Sequence, residues 1–209
     1  SIKGINKYID YGYFTENYTA YENIFSLPPG CYKVINIDNS YNVKTHKYSN
    51  NFNIMKENNL LAKDIKDSVD QFDNLLSNVV NQTLESDVPV GLFLSGGIDS
   101  ALIGYYASKK VSNMKSFTVS FDDKQYDESD RAKNISHYLG LKYYDIKIRP
   151  SDFLQVLSEN DKFFDQPFSD SSFIPMYFLS KLASKEVKVC LGGDGADEIF
   201  YGYEKKYNF

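Results

Sequence analysis

The stretch Val88-Pro89-Val90-Gly91-Leu92-Phe93-Leu94-Ser95-Gly96-Gly97-Ile98-Asp99-Ser100 decides how the rest of the chain is read. Its first half is a short apolar run, as a strand buried on both faces requires. Its second half is a glycine turn, after which residues 100–110 read as a helix. A strand passing through such a turn into a helix is the unit from which parallel α/β sheets are built. Gly96 and Gly97 let the backbone turn tightly and present bare N–H groups, and the helix aims its positive end at the same place. With the hydroxyls of Ser95 and Ser100, the loop is a candidate anion site. The competing reading is a plain turn in which Asp99 caps the helix.

Downstream of this unit the alternation continues. Strands are expected at 116–121, 142–148 and 187–191. Helices are expected at 128–139 (ended by Gly140), 150–159 and 173–185, and from Asp197 onward. Upstream, Leu61, Ile65, Val69, Phe72, Leu76, Val79, Val80 and Leu84 recur at helical spacing and predict a long amphipathic helix over 60–85. Residues 49–59 are Asn-rich and polar, as a linker is. Residues 1–50 differ from the rest. A short helix is expected over 2–13, then a Pro28-Pro29-Gly30 turn, a strand over 31–37, an Asp38-Asn39-Ser40 turn and a returning strand over 41–48. The expected architecture is α/β: a doubly wound, mostly parallel sheet with helices on both faces over 60–209, preceded by a small β-rich piece over 1–50.

A second glycine loop falls at the end of another strand, Leu191-Gly192-Gly193-Asp194-Gly195-Ala196-Asp197-Glu198. Its carboxylates would repel phosphate, by roughly 4 kcal/mol for two charges about 4 Å apart at an effective dielectric near 20. A divalent cation resolves that conflict, because Mg²⁺ takes one or two carboxylates together with phosphate oxygens. Asp99 and Asp197 are the candidate ligands. The alternative for Asp197 and Glu198 is that they are acids favoured by a helix N-terminus.

Composition excludes several classes. The 209 residues carry a formal net charge of −5 and no dense basic run, which argues against a nucleic-acid surface. The 18 tyrosines and 15 phenylalanines are scattered, as packing residues are. Cys31 and Cys190 form no CxxC pair and no Cys/His cluster, so a zinc site is not expected. Cys190 lies in an apolar strand and is expected to behave as a small hydrophobe, in keeping with a reducing cytoplasm. No apolar run reaches the ~20 residues that span a bilayer. His46 and His137 have no partners at metal or triad spacing. Asp122-Asp123 reads equally as a ligand approach or a solvated turn, and Lys205-Lys206 as a solvated face.

The glycine loop is not a Walker A motif, since no Gly-Lys-Ser/Thr follows, and it lacks the third glycine of a dinucleotide fingerprint. SGGIDS is similar to the pyrophosphate loop of ATP-pyrophosphatase (PP-loop) enzymes, which cleave ATP between the α and β phosphates. With GGDGADEIFYGY further along, Tyr126-Asp127-Glu128-Ser129 and Asp165-Gln166-Pro167-Phe168-Ser169-Asp170-Ser171-Ser172 between, the chain resembles the glutamine-hydrolysing asparagine synthetase family. The stretches Tyr11-Gly12-Tyr13 and Leu27-Pro28-Pro29-Gly30-Cys31-Tyr32 resemble the tail of that family's glutaminase domain. The resemblance covers nearly the whole chain and implies an adenine nucleotide alpha-hydrolase-like fold.

It also implies a ligase that uses ATP and Mg²⁺ in the cytoplasm. Aspartate would be activated as β-aspartyl-AMP, and ammonia released from glutamine would displace AMP to give asparagine. Carried over, Ser95, Gly96, Gly97, Asp99 and Ser100 would bind pyrophosphate and metal. Leu94 and Val119 would contact adenosine, and Gly192 and Gly193 would line the α-phosphate side. Asp194 matches an acidic catalytic position near the acyl-adenylate, and Asp197 a metal ligand. A homodimer is compatible with the resemblance. There are departures. Gly192 stands where the family pattern has Ser. The family's glutaminase nucleophile is an N-terminal Cys, whereas this chain starts at Ser1, and the family's later lysines lie past Phe209. The chain is therefore expected to be part of a longer protein and, alone, to hydrolyse no glutamine, bind nucleotide weakly and turn over little. Two alternatives stay open: a relative adenylating another carboxylate (β-lactam synthetase-like, peptide-cyclising or sugar-modifying), and a nucleotide-binding module without turnover.

Overall fold

Four parallel strands in the order β5-β4-β3-β6 carry the chemistry-bearing loops. They are β3 (Val90–Phe93), β4 (Lys115–Phe121), β5 (Lys142–Ile148) and β6 (Val189–Leu191), with β3 paired to both β4 and β6. The sheet thus runs one way from β3 through β4 to β5 and then returns to add β6 on the other side of β3. This reversal makes the carboxyl ends of β3 and β6 the switch point, where open α/β sheets bind their ligands.

The computed structural model describes residues 1–37, 42–48, 64–159, 162–200 and 202–203. The expected 38–40 turn, the 49–59 linker, the first turn of the 60–85 helix and the Lys205-Lys206 pair lie outside them. The chain divides into two compact units, one of Ser1–Lys63 with Glu159–Ser171, the other of Asp64–Ser158 with Ser172–Phe209.

In the larger unit the alternation of side chains along each strand sorts the core into two layers. Leu92 and Leu94 point to one face, with Val80 of α2 (Ile65–Thr83) and its C-cap Leu84, Tyr106 and Ala107 of α3 (Ile98–Lys110) and Ala132 of α4 (Ser129–Tyr138). Phe117 points to the other, with Leu179 and Ala183 of α6 (Phe173–Ala183) and Val187. Helices therefore cover both faces, as the apolar strands predict. Polar groups in these layers are paired, as burial demands. The buried hydroxyls of Ser116 and Ser136 meet at 2.8 Å, tying β4 to α4. The Tyr106 hydroxyl donates to the Asp73 carboxylate across α3 and α2, and that bond together with burial pushes the phenol up to about 12. Burial raises the Cys190 thiol to about 11, in line with its expected role as a small apolar side chain. The helices α5 (Pro150–Ser158) and α7 (Ala196–Phe200) complete the unit.

In the smaller unit, α1 (Ile2–Tyr11) is capped by the Ser1 side chain and closed by Gly12 in the left-handed region. Strands β1 (Cys31–Ile35) and β2 (Val43–Lys47) form the expected antiparallel hairpin, with Tyr32 opposite His46 and the two rings stacked 5.0 Å apart. The 159–171 segment belongs here through specific bonds: Gln166 Oε1 accepts from the Ala20 amide at 3.2 Å, and the Ser169 hydroxyl donates to the Gly12 carbonyl at 2.6 Å.

Candidate nucleotide site

The loop after β3 is held by its own serines. Leu94 still belongs to the sheet: its amide donates to Phe117 O at 2.9 Å, and its carbonyl accepts from Thr118 Oγ1 at 2.7 Å. Its side chain is 2% exposed and lies in the core, so only its backbone is free to meet a nucleotide. Beyond it the buried Ser100 hydroxyl lies 2.8 Å from Ser95 Oγ and accepts from the Ser95 amide at 3.1 Å. Ser95 Oγ in turn accepts from the Gly97 amide at 3.1 Å. Ser100 is thus the buried brace of the loop, and Ser95, exposed as a residue, has its hydroxyl bonded to that brace and to the Gly97 amide.

Helix α3 begins at Ile98, earlier than the expected Ser100, because Gly97 takes the N-cap with extended backbone and no side-chain capping bond. Asp99 is not the cap. It stands in the first turn, half-buried. That position removes the capping role for its carboxylate and leaves it near the positive end of the helix.

The loop after β6 packs directly on this helix start. A Cβ on Gly193 would stand 3.0 Å from the Ser100 amide nitrogen and 3.2 Å from Asp99 Cβ, so the two loops approach more closely than most side chains are found to do. The Gly193 carbonyl accepts from the Ala196 amide at 3.4 Å, leading into α7, whose first turn carries Asp197 and Glu198. Asp194 is exposed between them, and Gly195 holds φ +91°. At Gly192 a Cβ would lie 2.9 Å from Asp194 Oδ2, so the absent serine leaves room for that carboxylate to fold back. A Cβ on Gly202 would overlap the Asp197 carboxylate, a constraint that the sequence reading passed over. Val119, half-buried in β4, packs against the second core layer.

Sequence reasoning also gave no role to Glu128 and Asp127. The Glu128 carboxylate accepts from the Gly96 amide at 3.2 Å, so an anion already engages the loop. Asp127 accepts from the Ser129 amide at 3.2 Å and the Phe121 amide at 3.4 Å; its bonds to Ser129, outweighing burial, hold its carboxyl below the usual carboxylate range.

The arrangement fits a polyphosphate. It offers a helix start, a hydroxyl and glycine amides that are bonded to Glu128 and Ser95, with carboxylates on the facing loop. Among the described residues no group of three or more His, Cys, Asp or Glu is placed to hold a metal. A cation here would take its remaining ligands from phosphate and water, as Mg²⁺ does.

The larger unit is therefore a doubly wound α/β domain whose two glycine loops meet at the switch point of a parallel sheet. Residues 71–209 match the family model described as asparagine synthase, and the chain belongs to that family. It is similar to asparagine synthetase (glutamine-hydrolyzing) 1 of Bacillus subtilis, with 34% identity over 201 residues, 96% of this chain and 31% of that protein. It is also similar to putative asparagine synthetase (glutamine-hydrolyzing) 2 of Methanocaldococcus jannaschii, with 30% identity over 206 residues, 98% of this chain and 39% of that protein. The chain thus spans roughly a third of the length of these relatives. In three dimensions it resembles NMN synthetase from Francisella tularensis, with a TM-score of 0.46 and 22% identity over 64% of this chain and 58% of that one. No helix among the described residues is long and apolar enough to cross a membrane.

Proposed function

We propose that the full-length protein makes asparagine from aspartate by way of β-aspartyl-AMP. The carboxylate oxygen of aspartate attacks the α-phosphorus of ATP, the α–β bridging bond breaks and pyrophosphate leaves. Ammonia then attacks the acyl carbon, the carbon–oxygen bond to AMP breaks, AMP leaves and the nitrogen loses a proton.

The observation that carries this reading is the approach of Gly193 to the Asp99–Ser100 peptide. It joins a donor-rich loop to an acidic one, the combination that a metal-bound triphosphate needs. The amides of Gly96 and Gly97 and the Ser95 hydroxyl bind the departing pyrophosphate, exchanging their bonds to Glu128 and within the loop for phosphate oxygens, with Ser100 as the brace. Asp99 and Asp197 would hold Mg²⁺, which neutralises charge between phosphates and carboxylates. Gly192 and Gly193 line the α-phosphate side, the backbone of Leu94 and the side chain of Val119 flank adenosine, and Asp194 is the carboxylate available to the proton released as ammonia attacks. Most of the rate enhancement comes from positioning and preorganised charge. Ammonia comes from glutamine in a glutaminase domain, of which residues 1–50 are the tail, and 60–209 are synthetase. The likeness of the chain to proteins named glutamine-hydrolyzing asparagine synthetases supports this division, and a cytoplasmic homodimer is compatible with it.

Full-length protein given ATP, Mg²⁺, aspartate and ammonia should release AMP and pyrophosphate; ADP with phosphate would contradict the loop assignment. Isotope exchange between pyrophosphate and ATP that depends on aspartate separates this acceptor from another carboxylate.

A further inference from the structure

Glu128 stands at the N-cap of α4, yet its side chain does not cap that helix. The capping work falls to the preceding residue: Asp127 accepts from the Ser129 amide and also from Phe121, and its side chain is only 6% exposed. Glu128 is thereby free to reach across 32 positions of sequence to the Gly96 amide, at 3.2 Å. Gly96 is buried against the same helix. A Cβ there would lie 3.1 Å from Glu128 Cβ and 3.1 Å from Cβ and Cδ of Arg131. One amide of the phosphate loop is therefore occupied by a carboxylate that belongs to the protein.

We propose that Glu128 is an internal anion of the phosphate loop, holding the Gly96 amide and giving it up to a phosphate oxygen. This rests on the nucleotide-site reading above and adds a competitor to it. Two like charges cannot share one amide, so a phosphate at Gly96 displaces the carboxylate. Glu128 is exposed, so its release to water is cheap. The competitor keeps the loop preformed, with its amide hydrogen-bonded, while lowering affinity for pyrophosphate. A product-release step gains from that arrangement, because the returning carboxylate takes the place of the departing anion.

The test is equilibrium binding of inorganic pyrophosphate, with and without Mg²⁺, to the full-length protein and its Glu128→Gln and Glu128→Ala variants. Amide resonances are followed in parallel. Removing the competing charge should tighten pyrophosphate binding about tenfold in both variants, the scale of one charge-assisted hydrogen bond. In the unliganded protein the Gly96 amide resonance should move on Glu128→Gln, and wild type with saturating pyrophosphate should lose the Glu128 contact. Unchanged or weaker binding in both variants would overturn the proposal, since a mere brace predicts weakening. Wild type that binds pyrophosphate, with variants that bind no tighter, sinks the competitor alone. Failure of all three proteins to bind pyrophosphate would sink the nucleotide site and the competitor together.

Discussion

The two glycine loops at the switch point use their glycines for opposite purposes. In the loop after β3 the chain is tightly tethered: Ser100 is buried and bonded to Ser95, and Gly96 is pressed against α4. Its glycine amides are bonded to Glu128 and to Ser95 Oγ, which leaves little freedom. In the loop after β6 Asp194 is exposed, Gly195 takes a left-handed turn in open space, and Gly193 provides the close approach to the first loop. A tightly tethered glycine loop, the candidate anion cradle, faces a more open acidic arm. A site for a metal-bound phosphate needs both, because rigid donors fix the phosphate and the acids need only meet the cation.

The largest disruption should come from joining the loops badly. Gly193→Val places side-chain atoms on the Ser100 backbone, and overpacking of that kind costs roughly 1–3 kcal/mol. MgATP affinity should fall by about 10–100-fold on that scale, as isothermal titration would read, with a lower Tm. Next is Asp99→Ala, which removes a carboxylate that caps nothing. Pyrophosphate exchange should be abolished while stability stays within about 0.5 kcal/mol; a variant that only melts earlier would restore the capping role. Ser100→Ala strips the brace from the first loop and should cost about 1 kcal/mol in denaturant unfolding. Gly195→Ala probes the open arm by backbone alone. Nothing lies within 4 Å of the added methyl group, so the left-handed φ is the sole penalty, about 1 kcal/mol.

Asp127 gives a smaller, pH-dependent contrast. Its folded pKa is depressed, so its stabilisation is fully present above the ordinary carboxylate value of 3.8 and is lost as pH falls through the lowered folded value. Asp127→Asn should flatten the acid limb of a Tm-against-pH curve below that value. An unchanged limb would show that Asp127 does not set the start of α4.

Much of the fold was legible because its strands are short apolar runs between turn residues. The 142–148 strand matches β5 end to end, and Gly140 at φ +67° closes the helix before it. Helix ends were less legible. Helix α3 starts two residues early because Gly97 caps through its backbone, a choice that side-chain chemistry does not advertise. The 159–171 segment read as part of the α/β run, yet Gln166 and Ser169 bond to Ala20 and Gly12, contacts more than a hundred positions away in sequence. In the site, the serines, glycines and Asp99 could be named from one strand–loop–helix unit. Glu128 could not, since its partner is an amide on another element and only the folded sheet brings them together.

The most direct measurement of joint phosphate binding is an amide-resonance titration of the full-length protein with MgATP. The account predicts that Gly96 and Gly97 on one loop and Gly193 and Gly195 on the other shift together along one binding curve. Shifts confined to a single loop, or two curves with different midpoints, would contradict it.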